Sequence, residues 1–423
     1  MTYYFPITST NSGIVLSTAG QNPSRAAGGV SVTNTTANHG GDAIYGYASY
    51  AWTIHNYGTV KSNPSAGSGI DLAGGGAVTN NGTIDAYRYG VFIGADPGLV
   101  VNSGTIIGGR GFEGAAIFME GISGSISNSG LMVGEVFMVG GTVSNTGTIA
   151  GYPGLNSGLV LDTGGGVVTN SAATAAIQGY ATGISIRNTA VGAATLVNDG
   201  TIASTGLQSR AVDLYLGGFV SNASSGFISG GSGVSGAGIR IQGAVGTVVN
   251  AGTVTTGHQA VWLEAGGIVS NSPSGVIDGA GDGVHIDGAT GTVANLGSII
   301  GEGNVYSGVA LLAGGYVGNG TAGSNALIQG VDHGVFIAVA AGYVTNYATI
   351  RATGYIGHGV GVYLNVGGSV TNSGAITGDR EGVRVNNFAG TVRNIGTITG
   401  TSQAGVRLGA GGLVINNAGR AAT

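Results

Sequence analysis

Short runs in which apolar and polar residues alternate recur along nearly the whole chain, and two phrases account for most of them. The first reads apolar-x-Asn-x-Gly-x-apolar, as in TIHNYGTV (53–60), LVVNSGTI (99–106), TVSNTGTI (142–149) and TVVNAGTV (247–254). Taken alone, the copy inside GGAVTNNGTIDAYRYGVFI (75–93) predicts a β-hairpin, because Asn-Gly between alternating apolar residues is the strongest short-range hairpin signal. Recurrence overrides that local reading, since a pattern repeated at a fixed distance reflects architecture. The Asn of the phrase stands at 17 positions about 24 residues apart: Asn34, Asn56, Asn80, Asn102, Asn128, Asn145, Asn170, Asn198, Asn222, Asn250, Asn271, Asn295, Asn319, Asn346, Asn372, Asn394 and Asn416.

The second phrase is small-apolar-x-apolar, as in SGIDL, YGVFI, AAIFM, QAVWL, DGVHI and EGVRV, one copy per interval after Asn56. From its first apolar residue to the next Asn the distance is almost always 10 or 11 residues, whereas from an Asn to the next second phrase it ranges from 8 to 17. One side of the repeat is therefore constant and the other carries insertions. A helical repeat would place apolar residues at i, i+3, i+4 and i+7, but every copy has period two. Each repeat thus predicts one turn of an all-β, right-handed parallel β-helix of 16 or 17 coils, roughly 80 Å long at about 4.8 Å per coil.

Parity places Val78, Asn80, Gly82 and Ile84 inward and Thr79, Asn81 and Thr83 outward. A lone buried amide costs about 1–3 kcal/mol, but a column of stacked Asn side chains satisfies itself, each donating to the next. Gly follows two residues after the Asn in 10 of the 17 copies, and it is expected to supply the backbone freedom of the bend.

Composition narrows the class. Eighty-nine glycines and a charged fraction of 7% are far from an ordinary globular domain, while 42% hydrophobic residues exclude disorder. Glycine without a three-residue period, and with only six prolines, excludes collagen. There is no apolar run long enough for a membrane-spanning helix, and the N-terminus lacks the pattern of a secretory signal peptide, which leaves the export route open. Zero cysteines exclude disulfides and thiolate chemistry. The net charge of −5 with 13 scattered basic residues provides no footprint for nucleic acid.

The G-x-V-x-N-x-G-T-I and G-V-x-L phrases, covering about residues 30 to 417, resemble the passenger domains of bacterial autotransporters and the filamentous-haemagglutinin class of adhesins. That resemblance implies a secreted or surface-exposed protein used in attachment, aggregation or biofilm matrix building.

Candidate chemistry is sparse. Polysaccharide lyases and hydrolases share this fold and need grouped carboxylates. The residue after the second phrase is acidic at Glu120, Asp162, Glu264 and Asp287, and only Glu264 and Asp287 fall in successive turns, with His285 beside them. These three are the candidates for catalysis; isolated surface acids are the plainer reading. The other histidines, at 39, 55, 258, 333 and 358, lack ligand spacing and are expected at the surface or in loops, and no metal or cofactor is expected. The middle residue of the second phrase must point outward, and it is Phe92, Phe118 and Phe137 in three successive turns, Trp262 next to His285, and Phe336 next to Tyr363. Such a stripe either marks a contact surface for a second copy or for sugar rings, or is covered by an inserted loop. Asn-x-Thr/Ser triplets at Asn34, Asn222 and Asn319 are assigned to the Asn column, not to glycosylation, and one outward column, Thr59, Thr83 and Thr105, is too narrow for ice binding.

Residues 1–30, with the strand-like pieces TYYFPIT and GIVLSTA, are expected to cap the first turn or to dock on the open end of another copy, and residues 31–423 to form a single continuous solenoid. The leading expectation is a non-enzymatic extracellular adhesin or self-associating fibre subunit that contacts its own kind and surface glycans. The alternative is a carbohydrate-active enzyme or glycan-binding protein.

Overall fold

The computed structural model describes residues 3–95, 97–110, 114–190, 194–354 and 358–417. It is an all-β parallel solenoid of about 16 coils with about 24 residues per coil. Two short helical turns, Ala19–Gln21 and Asn38–Gly41, are the only helix among the described residues. The coils fall into two compact units, Met1–Gly206 with Asp213–Tyr215 (unit 1) and Leu207–Val212 with Leu216–Thr423 (unit 2).

A regular coil contributes three strands, here named lead, Asn and closing. In unit 1 one coil runs Tyr89–Ile93, Gly98–Asn102 and Thr105–Ile107. Each strand pairs in parallel with its equivalent one coil on, so that Val91 meets Ile117, Val100 meets Ile126 and Ile106 meets Met132. In unit 2 the strands Gln259–Leu263, Gly267–Asn271 and Val276–Gly279 repeat the pattern, with Val261 meeting Val284, Val269 meeting Val293 and Ile277 meeting Ile299. The period-two phrases produce this because each coil turns one apolar side chain of every pair inward. Val91, Ile93, Val100 and Ile106 are all fully buried, each such burial contributing roughly 1.5–3 kcal/mol.

The Asn column is continuous within each unit. In unit 1 the amide nitrogen of each residue donates at 2.8 Å to the amide oxygen one coil on, from Asn56 through Asn80, Asn102, Asn128, Asn145 and Asn170 to Asn198. In unit 2 the same bonds, at 2.8–2.9 Å, run from Asn222 through Asn250, Asn271, Asn295, Asn319, Asn346, Asn372 and Asn394 to Asn416. The nitrogen also reaches backbone carbonyls at the bend, as Asn80 does to Gly82 at 3.2 Å and Thr105 at 3.1 Å. A buried amide is thereby satisfied on both its donor and its acceptor side.

Two details differ from the expectations above. Asn34 is not part of the column. It ends the strand Ser31–Asn34 and meets Ser62, while Ala26 stands under Asn56. Its amide instead ties down the following bend by donating to the carbonyls of Asn38 and Asp42 at 3.0 and 2.8 Å. Gly82 is required for closeness, not for backbone freedom. Its φ is not in the left-handed region, and a Cβ there would lie 2.1 Å from the carbonyl oxygen of Gly58, one coil below. A left-handed glycine does occur, at the start of the Asn strand: Gly141 has φ 127° and meets Gly124 and Gly166 in register.

The N-terminal pieces join the stack of unit 1. Phe5–Ile7 pairs in parallel with Ser24–Ala26, and Ile14–Leu16 with Ile44–Gly46.

Candidate functional site

The outward position of the lead strand forms a registered column in unit 1: Tyr45, Asp71, Phe92, Phe118, Phe137 and Val160. Parallel pairing one coil apart brings the rings together. Phe92 and Phe118 stack with centroids 5.9 Å apart, Phe118 and Phe137 at 4.8 Å, and Tyr89 packs against Phe92 and Phe118 at 5.6 and 5.0 Å. The three phenylalanines are half-buried. They floor two adjoining clefts of about 340 Å³ each that share Tyr89 and Phe118.

Carboxylates rim these clefts. Asp42, Asp71 and Glu120 line the first and Glu135 the second; among the described lining residues the one guanidinium is that of Arg88, whose centre lies 4.6 Å over the Tyr89 ring, and the charge of Arg187 also acts on Glu135. Asp42 and Glu135 also hold the solenoid corner. The Ser68 backbone N–H donates to Asp42 at 2.6 Å and the Ser157 N–H to Glu135 at 3.2 Å. Burial pushes both carboxyls up, and these hydrogen bonds partly offset it. Asp71 is different in kind: its Oδ1 is buried with no hydrogen-bond partner. Burial, and then the charge of Asp42, push its pKa up to about 7, with Arg88 pulling the other way.

The expected consequence is a stability that falls with rising pH. Folded Asp71 holds its proton up to about pH 7 and the unfolded chain loses it near 3.8, so between those values the native state binds more protons and is progressively destabilised as pH rises. Asp71→Asn should therefore raise the unfolding free energy of unit 1 at pH 8 by about 2 kcal/mol and change little at pH 4. Thermal melts of both proteins across that range check it; parallel pH profiles for wild type and variant would refute the assignment.

In unit 2 the same outward column places Trp262 against Arg240 and His285, and Phe336 against Tyr363. The sequence candidates Glu264 and Asp287 are on consecutive coils but face different partners. Glu264 accepts from Arg240 Nε at 2.6 Å, and Asp287 lies 3.4 Å from the Trp262 indole nitrogen and 3.5 Å from His285 Nε2. His285 Nδ1 is 2.7 Å from Asp282. Burial lowers the His285 pKa, but the hydrogen bond to Asp282 and the charges of Asp282 and Asp287 outweigh it and hold the imidazole above its ordinary value. Asp282 in turn accepts the Ser307 N–H at 2.7 Å, the corner device seen at Asp42. His258 lies, as expected, in the bend between the strands Thr253–Thr256 and Gln259–Leu263, where it meets the Tyr306 hydroxyl at 3.0 Å, whereas His333 is not a loop residue: it opens the strand His333–Ile337 and stacks on Phe336 at 5.0 Å.

Comparison with protein families, curated proteins and solved structures returns no match. The chemistry of the site is thus the guide to its use. Among the described residues no group of three His, Asp or Glu side chains is placed to hold a metal ion, and no helix is long and apolar enough to cross a membrane. The Thr59, Thr83 and Thr105 column is registered, and Leu131 follows it on the next coil. Asn222 and Asn319 are buried in the ladder.

Sequence reasoning found the aromatic floor and Glu120 but passed over Asp42, Asp71 and Glu135. Asp71 occupies the middle of SGIDL, so the repeat register alone places it beside Phe92. Its burial has no counterpart in the sequence.

Proposed function

We propose that this chain is a non-enzymatic, extracellular or cell-surface solenoid that acts as an adhesive scaffold and engages surface glycans through the aromatic trough of unit 1. The observation that carries this reading is the registered run Phe92, Phe118 and Phe137 flooring two adjoining clefts. Aromatic faces suit the apolar faces of sugar rings, and the carboxylates and Arg88 supply acceptors and donors for hydroxyl groups. The resemblance of the repeat phrases to those of autotransporter passengers and haemagglutinin-like adhesins supports the surface location. A charged fraction of only 7% supports association between copies into a matrix fibre, because little repulsion opposes it.

The double variant Phe118→Ser/Phe137→Ser is expected to lose glycan-array binding by roughly tenfold or more with an unchanged β-sheet circular dichroism spectrum. Sedimentation of the same proteins reports whether the stripe also joins copies. Unaltered behaviour in both assays would discard the trough as the contact surface.

A second reading, hydrolysis or lysis of a polysaccharide, is favoured by one observation. Asp71 is a carboxyl whose pKa stands near neutrality in an aromatic cleft that also holds Glu120, and glycoside hydrolysis uses a pair of carboxyl groups. A reducing-end assay on a polysaccharide panel separates the two, since turnover abolished by Asp71→Asn would replace the scaffold reading with the enzymatic one.

A further inference from the structure

We infer that Arg380, Arg384 and Arg407 of unit 2 form a receptor for a phosphate monoester group carried on a sugar. The site shares no residue with the aromatic trough of unit 1 and does not rest on it.

Geometry and charge carry it together. Arg384 and Arg407 stand in register on the lead strands Glu381–Val385 and Val406–Leu408, and Arg380 immediately precedes the first of these. The guanidinium groups of Arg380, Arg384 and Arg407 converge on one carboxylate, that of the fully buried Glu381, at 3.6, 3.9 and 3.1 Å. One guanidinium neutralises one carboxylate, so two positive charges within this cluster are left in surplus. The arginine side chains are 31, 20 and 48% exposed, while Glu381 is out of reach of solvent. Each guanidinium carries five N–H donors and makes one side-chain hydrogen bond among the described residues: Arg380 to Gln403, Arg384 to Asn386 and Arg407 to Glu381. Asp379, the neighbouring acid, accepts from Thr401 Oγ1 at 3.1 Å. The residues beyond Asp332 point the same way independently: they include six arginines and only two acids, a net charge of +4 in a chain whose total is −5. A basic stretch in an otherwise acidic chain concentrates anions where it lies.

The surplus selects the ligand. A phosphate monoester brings a charge of roughly −1.5 to −2 at neutral pH together with three terminal oxygens, which suits three partly exposed guanidinium groups and two unbalanced charges. A sulfate ester or a carboxylate leaves one of those charges unmet. The groups beside Arg384 are neutral hydrogen-bonding ones of the kind that sugar hydroxyls use. Asn386 Nδ2 donates to the Tyr363 hydroxyl, which donates to Asn365 Oδ1, both at 3.0 Å, and Arg384 lies over the Tyr363 ring at 5.0 Å.

Calorimetric titration of the full chain with glucose 6-phosphate, glucose 6-sulfate, inorganic phosphate and O-phosphoserine, at about pH 7.5 and again at about pH 5, tests this. At the higher pH glucose 6-phosphate is expected to bind roughly tenfold more tightly than each of the other three. Its advantage over the sulfate should shrink at the lower pH, where the phosphate becomes a monoanion; the sulfate arm carries any titration of the protein itself, including that of His333 and its partner Asp332. Arg380→Gln and Arg384→Gln should each weaken glucose 6-phosphate by roughly tenfold, with melting temperatures close to wild type because the Arg407–Glu381 bond is kept. Tyr363→Phe, which retains the ring under Arg384, should weaken the sugar phosphate and leave inorganic phosphate unchanged. Equal binding of the phosphate and sulfate esters at both pH values, indifference to both arginine variants, or no binding of any probe would overturn the receptor and leave the arginines as counter-ions of Glu381. O-phosphoserine bound as tightly as glucose 6-phosphate would overturn the sugar assignment in favour of a phosphopeptide. Phe118→Ser/Phe137→Ser should bind glucose 6-phosphate as wild type does, which separates this result from the fate of the trough.

Discussion

Asn80→Ala is expected to lower the unfolding free energy of unit 1 by about 2–4 kcal/mol, whereas Asn81→Ala, one residue further on, costs less than about 0.5 kcal/mol. The two side chains are chemically identical and the difference is entirely positional. Asn80 is fully buried, accepts from Asn56 and donates to Asn102, both at 2.8 Å. Alanine leaves the Asn102 oxygen without its amide donor and the Asn56 nitrogen without its amide acceptor, and opens a void between them. Asn81 is exposed and its one side-chain bond, to Ser103 Oγ at 2.7 Å, is made in solvent. Asn80→Asp sharpens the test. A carboxylate accepts from Asn56 but cannot donate to Asn102, so at pH 7 it should be worse than alanine, and it should recover part of the loss at low pH, where the protonated acid regains a donor. Urea unfolding followed by circular dichroism measures all three. Equal losses for Asn80→Ala and Asn81→Ala would mean that the ladder contributes nothing beyond its geometry.

Gly141→Ala should be more damaging still, about 4 kcal/mol or more, and Gly141→Val should fail to yield folded protein. Two causes add. At φ 127° an L side chain is strained, and a Cβ at this position would lie 1.9 Å from the carbonyl oxygen of Gly124 on the preceding coil. That oxygen belongs to a paired backbone, so it cannot move aside without opening the ladder between the Asn strands. Gly28 is the matched control, with no atom within 4 Å of its would-be Cβ and a φ outside the left-handed region. Gly28→Ala should leave stability within about 0.5 kcal/mol of wild type. Yield, chromatographic behaviour and melting temperature compare the variants, and a folded, wild-type-like Gly141→Val would refute the close approach.

The parts of this protein that repeat were legible in its residues. Period-two alternation returning about every 24 residues specifies a solenoid, because parallel in-register stacking is the arrangement in which Val78 and Val100, or Asn80 and Asn102, occupy equivalent positions coil after coil. The same logic put Phe92, Phe118 and Phe137 in one column. What breaks the repeat was not legible. Asn34 carries the right phrase but stands opposite Ser62, since register is set by which backbone lies beneath it and the first coils are of unequal length. Gly82 was found by its motif and given the wrong reason, for the distance to a carbonyl one coil away exists only after stacking. The trough shows the same division. The repeat placed its aromatic floor, while the state of its acids was decided by tertiary structure. Asp42, Asp71, Glu120 and Glu135 come from four different coils and from different positions within the coil. Only winding them together removes water from Asp71 and brings the charge of Asp42 to bear on it.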